Sequence, residues 1–296
     1  MSDLLKMLGC RYPIIQGPIG EMNSPKLVAA ICEAGAYGML ALGFSNAEKT
    51  KKLVNDVKAL TGKPFGANLM LMNQANGEIL DILAAAGVKT VTTSAGSPKE
   101  VYKRIHELGM KGIHVALTLT HARRAEDAGV DGLVITGLES GGLRSKEPEL
   151  TNMVLIPLVV DHVKVPVVAA GGIADSRGYR AVLALGAQGA QIGTRFLASA
   201  ESTAHDKWKQ AILDSTDGDI VILPLQKMNV RVIVTQKLKK EMQDPALDLS
   251  KVYDLKNLPK AWGTGDFDLF PASAGQVSAL IKEVKPVREI IKEMVS

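Results

Sequence analysis

Short runs of β-branched and apolar residues alternate with longer amphipathic stretches through the first two thirds of the chain. Strands are predicted at 13–19 (PIIQGPI), 38–43 (GMLALG), 65–71 (FGANLML) and 90–94 (TVTTS). Four more follow at 112–118 (GIHVALT), 132–137 (GLVITG), 166–172 (PVVAAGG) and 190–196 (AQIGTRF). Several are apolar at successive positions, as strands covered on both faces must be.

A phrase of the form small-Gly-small recurs at 34–36, 86–88, 128–130 and 185–187, with LGM at 108–110 as a variant. Each occurrence ends a helical pattern just before a strand, where a glycine in the left-handed region can close the helix. Repeated βα units follow, and eight of them before residue 200 predict an α/β fold of the (β/α)8 TIM-barrel class. An open doubly wound sheet is the competing arrangement.

Beyond residue 200 the texture becomes polar and helical. Residues 201–270 read as a helical insertion and 271–296 as a closing segment, with a helical pattern over 277–295, all within a single domain spanning 1–296.

Composition narrows the class without changing the fold. A net charge of +4 is small for 296 residues, and the basic KLKK run at 237–240 is followed by acidic residues. A solvated helix face is therefore expected there, not a nucleic-acid partner. Cys10 and Cys32 have neither metal spacing nor a disulfide framework, which suits a reducing compartment. No signal-peptide pattern and no apolar run of membrane-spanning length is visible, so a cytoplasmic protein without a membrane partner is expected. A homodimer remains open.

In a barrel the loops following the strands carry the chemistry, and phosphate groups favour those after strands seven and eight. These loops contain Gly171 and Gly172, then Gly193 and Thr194. Their backbone N–H groups, at helix starts, form a candidate phosphate cradle. Asn68 inside an apolar strand, and Gln16 similarly, must hydrogen-bond something: a ligand ring or a neighbour in the core. Gly96, in TTSAGSP, permits close backbone approach.

Seven segments occur in order: PIIQGPIG, FGANLML, TTSAGSP, GLESGG, VPVVAAGGIADSRG, GAQIGTRFLASAES and ASAGQVSALIKEVKPVREII. Together they resemble the FMN-dependent nitronate monooxygenases, once called 2-nitropropane dioxygenases, and the related flavin-containing enoyl-ACP reductases of the FabK type. The resemblance covers nearly the whole chain. It implies FMN, with its phosphate at Gly171, Gly172, Gly193 and Thr194. It places the ring near Gly17, Pro18, Ile19 and Asn68, with Gln16, Gln276 and the loop glycines Gly141 and Gly142 close by.

The chain departs from the family at one position. Most members carry a histidine after the paired glycines, as a base or proton partner over the flavin; here Leu143 stands in its place. Three readings follow. A preformed anionic nitronate needs no base, and Leu143 then shapes an apolar pocket. A base can come from elsewhere, His121 after the fifth strand or the loop residues Arg144, Ser145, Lys146 and Glu147, although an exposed position in the first turn of a helix is the favoured reading of His121. Or the reaction differs. His205 resembles a structural histidine of relatives, and His106, His114 and His162 are expected in core or surface roles. Glu139 is expected to hold the loop by accepting N–H bonds.

The expected activity is FMN-dependent oxidation of a nitronate or similar small molecule with O2. The alternatives are an NAD(P)H-dependent enoyl-thioester reductase and an FMN-binding protein without catalysis. A flavin-free barrel acting on a sugar phosphate would share the cradle but leave the other motifs unexplained.

Overall fold

The computed structural model describes residues 2–296, apart from the side chain of Glu21. The strands, in chain order, are β1 (Ile14–Gln16), β2 (Met39–Ala41), β3 (Gly66–Met70), β4 (Thr90–Ser94), β5 (Lys111–Ala116) and β6 (Gly132–Thr136). They continue with β7 (Gly142–Arg144), β8 (Val167–Ala170), β9 (Gly189–Ile192), β10 (Ile220–Pro224) and β11 (Asn229–Ile233). Eight of these form one parallel sheet in the order β1-β9-β8-β6-β5-β4-β3-β2, the (β/α)8 barrel.

The barrel closes between β1 and β2 through a narrow seam. One backbone bridge, Ile15 with Tyr37, joins the two sides. Side chains then replace the missing ladder: Gln16 Oε1 accepts from Met39 N at 3.0 Å, and Asn23 Nδ2 donates to Met39 O at 2.7 Å and Gly17 O at 3.1 Å. Two amides thus satisfy backbone groups that would otherwise be orphaned in the wall.

One face of the strands fills the barrel with Ile15, Met39, Ile113, Val134 and Val168. Leu4 and Leu8 belong to the same cluster, so the helix Asp3–Leu8 plugs the barrel's N-terminal end. The other face, including Leu40, Leu69, Val91 and Leu133, packs on the helical ring. The repeated glycines do what their position predicts: Gly35 has φ +89° and Gly186 φ +100°, and Gly87, Gly109 and Gly129 are also left-handed.

Three expectations are corrected. The last barrel strand stops at Ile192, and Thr194–Leu197 is already helical, because Gly193 turns the chain there. The insertion is helical only in part. β10 and β11 form an antiparallel hairpin, and β7 adds to it in the order β10-β11-β7. Its alternation is masked by apolar residues on both faces: Val230 and Val232 enter a second core around Trp208, Trp262 and Phe270, while Ile222 is half-buried on the other side. The end pattern also splits into a short 3-10 turn, Gln276–Leu280, and the helix Val287–Met294, with Pro286 at its N-cap.

That second core lies at the C-terminal end of the barrel, because Ile19 and Met22, just past β1, pack against it. Trp208 is fully buried, donates Nε1–H to Ser273 O at 3.1 Å, and has its ring centroid 4.5 Å from that of Trp262. Burying a side chain of this size contributes roughly 2–3 kcal/mol. No helix among the described residues is long and apolar enough to cross a membrane.

Candidate active site

The loops after β8 and β9 lie side by side. Gly171 and Gly172 follow β8 with φ +99° and +71°, and Gly193 and Thr194 follow β9. The backbone N–H groups of all four lack an acceptor among the described residues. Gly193 caps the helix Thr194–Leu197, whereas Gly171 and Gly172 precede Asp175, the N-cap of the helix Ser176–Ala184; free N–H groups in two adjacent loops form a candidate anion cradle. A Cβ on Gly17 would come within 3.1 Å of Gly193 Cα, so glycine lets β1 approach that turn without pushing on its backbone.

Three side chains hold the cradle in shape. Asn152 Nδ2 donates to Gly171 O at 2.7 Å and Ala170 O at 3.0 Å, and Ser140 Oγ donates to Ala170 O at 3.1 Å. Glu139 accepts from Asn152 N at 3.0 and 3.1 Å through its two oxygens, the loop-holding role expected of it. Gln276 N donates to Glu139 O at 2.9 Å, and Gly275 N to Thr194 Oγ1 at 3.0 Å. The late AGQ segment therefore joins the loop after β6 to the loop after β9. Gly141 sits where a Cβ would press on Gly275 N at 2.6 Å, which explains the glycine.

Leu143 lies on β7 opposite Val230 and is 40% exposed, an apolar side chain left open. Next to it Arg144 is buried, and its Nη2 both pairs with Glu149 Oε1 at 2.8 Å and donates to Gly137 O at 3.0 Å, while its Nη1 is buried without a partner. Arg231, opposite Gly142 in β11, is also buried.

The other candidates fall at various distances from this centre. Asn68 is buried and bridges β3 to β4, donating to Thr92 Oγ1 at 2.9 Å and accepting from Ser94 Oγ at 3.4 Å. Gln16 serves the barrel seam, and its Nε2 is buried without a protein acceptor. Pro18 and Ile19 are half-buried beyond β1, and the Gln276 side chain is exposed. His121 stands in the first turn of helix Leu119–Asp127, its N–H capped by Thr118, with Nε2 4.0 Å from Glu147. It meets the loop after β7 through Glu147.

The remaining histidines have structural partners. His106 binds Asp131 at 2.9 Å, His162 Nδ1 meets Leu158 O, and His205 caps a helix through Lys207 N. His114 is buried against Thr93 Oγ1 at 2.8 Å, and burial pushes its pKa down to about 4. No cluster able to hold a metal occurs among the described residues. Asn152, Ser140 and Asn23 were not singled out in the sequence; Asn and Ser beside glycine loops are too common to stand out.

The family model described as nitronate monooxygenase matches residues 1–296. A curated relative from Mycobacterium tuberculosis, (3aS,4S,5R,7aS)-5-hydroxy-7a-methyl-1-oxo-octahydro-1H-indene-4-carboxyl-CoA dehydrogenase, is 32% identical over 243 residues, 81% of this chain and 68% of its own. A probable nitronate monooxygenase of Staphylococcus aureus is 31% identical over 264 residues, covering 75% of this chain and 74% of the relative. The solved structure of FabK from Thermotoga maritima superposes with a TM-score of 0.90 at 32% identity, over 100% of this chain and 95% of that one.

Proposed function

Since the chain belongs to the nitronate monooxygenase family and is an oxidoreductase, we propose that it is FMN-dependent and oxidises a nitronate or similar small substrate with O2. The observation that carries this reading is the set of four acceptor-free N–H groups at Gly171, Gly172, Gly193 and Thr194. They suit the dianionic phosphate of FMN, and Gly17 keeps the neighbouring wall free of side chains. Bound FMN would supply the electron chemistry.

The chain's own residues bind and orient. Asn152, Ser140 and Glu139 fix the cradle, and Asn68 and Gln16 place amides in the barrel wall near the proposed ring. Leu143 offers an apolar surface and no proton acceptor. A nitronate has already lost its proton, so its oxidation makes no demand on a base at that position. Where a substrate does require one, His121 is the proposed source, through movement of the loop that carries Glu147.

The test is the visible spectrum of the purified protein, followed by anaerobic addition of NADH or NADPH and then of a nitronate. Flavin bands that bleach with the nitronate but not with NAD(P)H support the reading. Absence of flavin bands even after adding FMN overturns it. A second reading, an NAD(P)H-dependent enoyl-thioester reductase, is favoured by the whole-chain likeness to FabK. Rapid bleaching by NAD(P)H alone would select it.

A further inference from the structure

We propose that the guanidinium of Arg231 is the anchor for a planar, two-oxygen anion on the substrate, a nitronate or a carboxylate. The inference deepens the functional reading above and rests on it for the location of the substrate.

Arg231 is only 4% exposed and sits in β11 directly opposite Gly142. Cross-strand partners share a face of the sheet, so its side chain projects on the side where Gly142 has none. A Cβ built on Gly142 would meet only Ser273 Oγ, at 3.8 Å, so the space beside Gly142 itself is open.

No acceptor is assigned to this cation. Its Nε is buried without a partner, and no hydrogen bond or ion pair reaches its terminal nitrogens among the described residues. The two nearby carboxylates are engaged elsewhere, Glu149 with Arg144 at 2.8 Å and Glu139 with Asn152 N at 3.0 Å. Burial, with the charge of Arg144 adding to it, pushes the Arg231 pKa down, while Glu149 and Glu139 oppose the shift. An arginine nevertheless stays charged, and a buried charge without a counter-ion is strongly destabilising unless something supplies one.

The guanidinium fork matches two oxygens of one planar anion through parallel N–H bonds. Leu143, the neighbour of Gly142, makes the same demand from the other direction. With no base in its place, the substrate should arrive already ionised, and an ionised substrate needs a cation. Arg231, on the strand paired with Leu143's own but facing the other side of that sheet, is the cation nearby without a counter-ion.

The experiment is a titration of the protein as purified with nitrate, a planar oxyanion, against chloride at equal ionic strength. Binding is followed by calorimetry and by the rise in Tm. Saturable nitrate binding is expected in the wild type, weakened at least tenfold in Arg231→Met and less in Arg231→Lys, with circular dichroism confirming that each variant is folded. Equal nitrate affinity in wild type and both variants, or no saturable binding in the wild type, overturns the proposal. Nitronate turnover separates it from the functional reading. An Arg231-dependent nitrate site in a protein that oxidises no nitronate sinks the reading and leaves the anchor. Turnover with a KM unchanged in Arg231→Met and Arg231→Lys does the reverse.

Discussion

Asn152 donates its side-chain amide to Gly171 O at 2.7 Å, so the start of the helix leading into β8 fixes the backbone turn at that strand's far end. The same amide reaches Ala170 O at 3.0 Å, while Glu139 holds the Asn152 N–H. The cradle's shape thus depends on a residue that need not touch the ligand. Asn152→Ala should leave the circular dichroism spectrum unchanged and weaken FMN about tenfold, the effect of losing roughly 1.4 kcal/mol of hydrogen bonding. Fluorescence titration of the flavin-stripped protein measures it, and an unchanged Kd would show that the cradle needs no such support.

Gly171 and Gly172 should respond differently to one added methyl group. Both have positive φ, where alanine costs roughly 1–2 kcal/mol. A Cβ on Gly171 would also collide with Ser140 Oγ, whereas on Gly172 it would meet Glu139 Cβ at an ordinary 3.4 Å. Gly171→Ala should therefore lose flavin on purification while Gly172→Ala keeps a substantial share. A bulky Gly172→Val should lose it as well, by crowding the cradle. Flavin content per protein, from the visible spectrum, decides; a fully yellow Gly171→Ala would remove the cradle from the site.

The barrel was legible because its signal is periodic. Eight apolar runs and five repeated helix-closing glycines all have local causes, and the structure places the corresponding barrel strands within a few residues of the predicted ranges. The β10–β11 hairpin was not, because its residues pack on a core assembled from Trp208, Trp262 and Phe270, distant in sequence. Within the site, Gly171 and Gly193 could be found from their position after strands. The Glu139–Asn152–Gly171 relay could not, since its members are remote from one another in sequence and each is an ordinary loop residue alone.

Leu143 is 40% exposed on a short edge strand, so Leu143→His should alter stability by no more than about 0.5 kcal/mol and leave flavin bound. Its effect should appear in substrate preference. Activity with preformed nitronate should stay within a few fold of wild type, while activity with the neutral nitroalkane should rise, because the imidazole can take the proton that leucine cannot. Oxygen uptake with the two substrate forms, each freshly prepared, gives the comparison. A variant that loses nitronate activity without gaining the neutral substrate would show that Leu143 is needed for packing against the substrate.

Acid should destabilise the barrel earlier than its carboxylates alone require, because of His114. This residue is buried in the wall, bonded to Thr93 Oγ1 at 2.8 Å and packed edge-on to Tyr102, with no carboxylate beside it. Desolvation by burial, then the charge of His121, lowers its pKa from 6.5 to about 4 in the folded chain. Between those two values the unfolded chain binds more protons, so stability falls as pH falls. The full contribution is present above about pH 6.5, about 3 kcal/mol is lost by pH 4, and the small remainder is lost as pH falls past the folded pKa. His114→Gln can keep a hydrogen bond to Thr93 and does not titrate. Urea midpoints at pH 7 and pH 4.5 should therefore fall more steeply in the wild type than in His114→Gln, and parallel slopes would mean that another group controls acid stability.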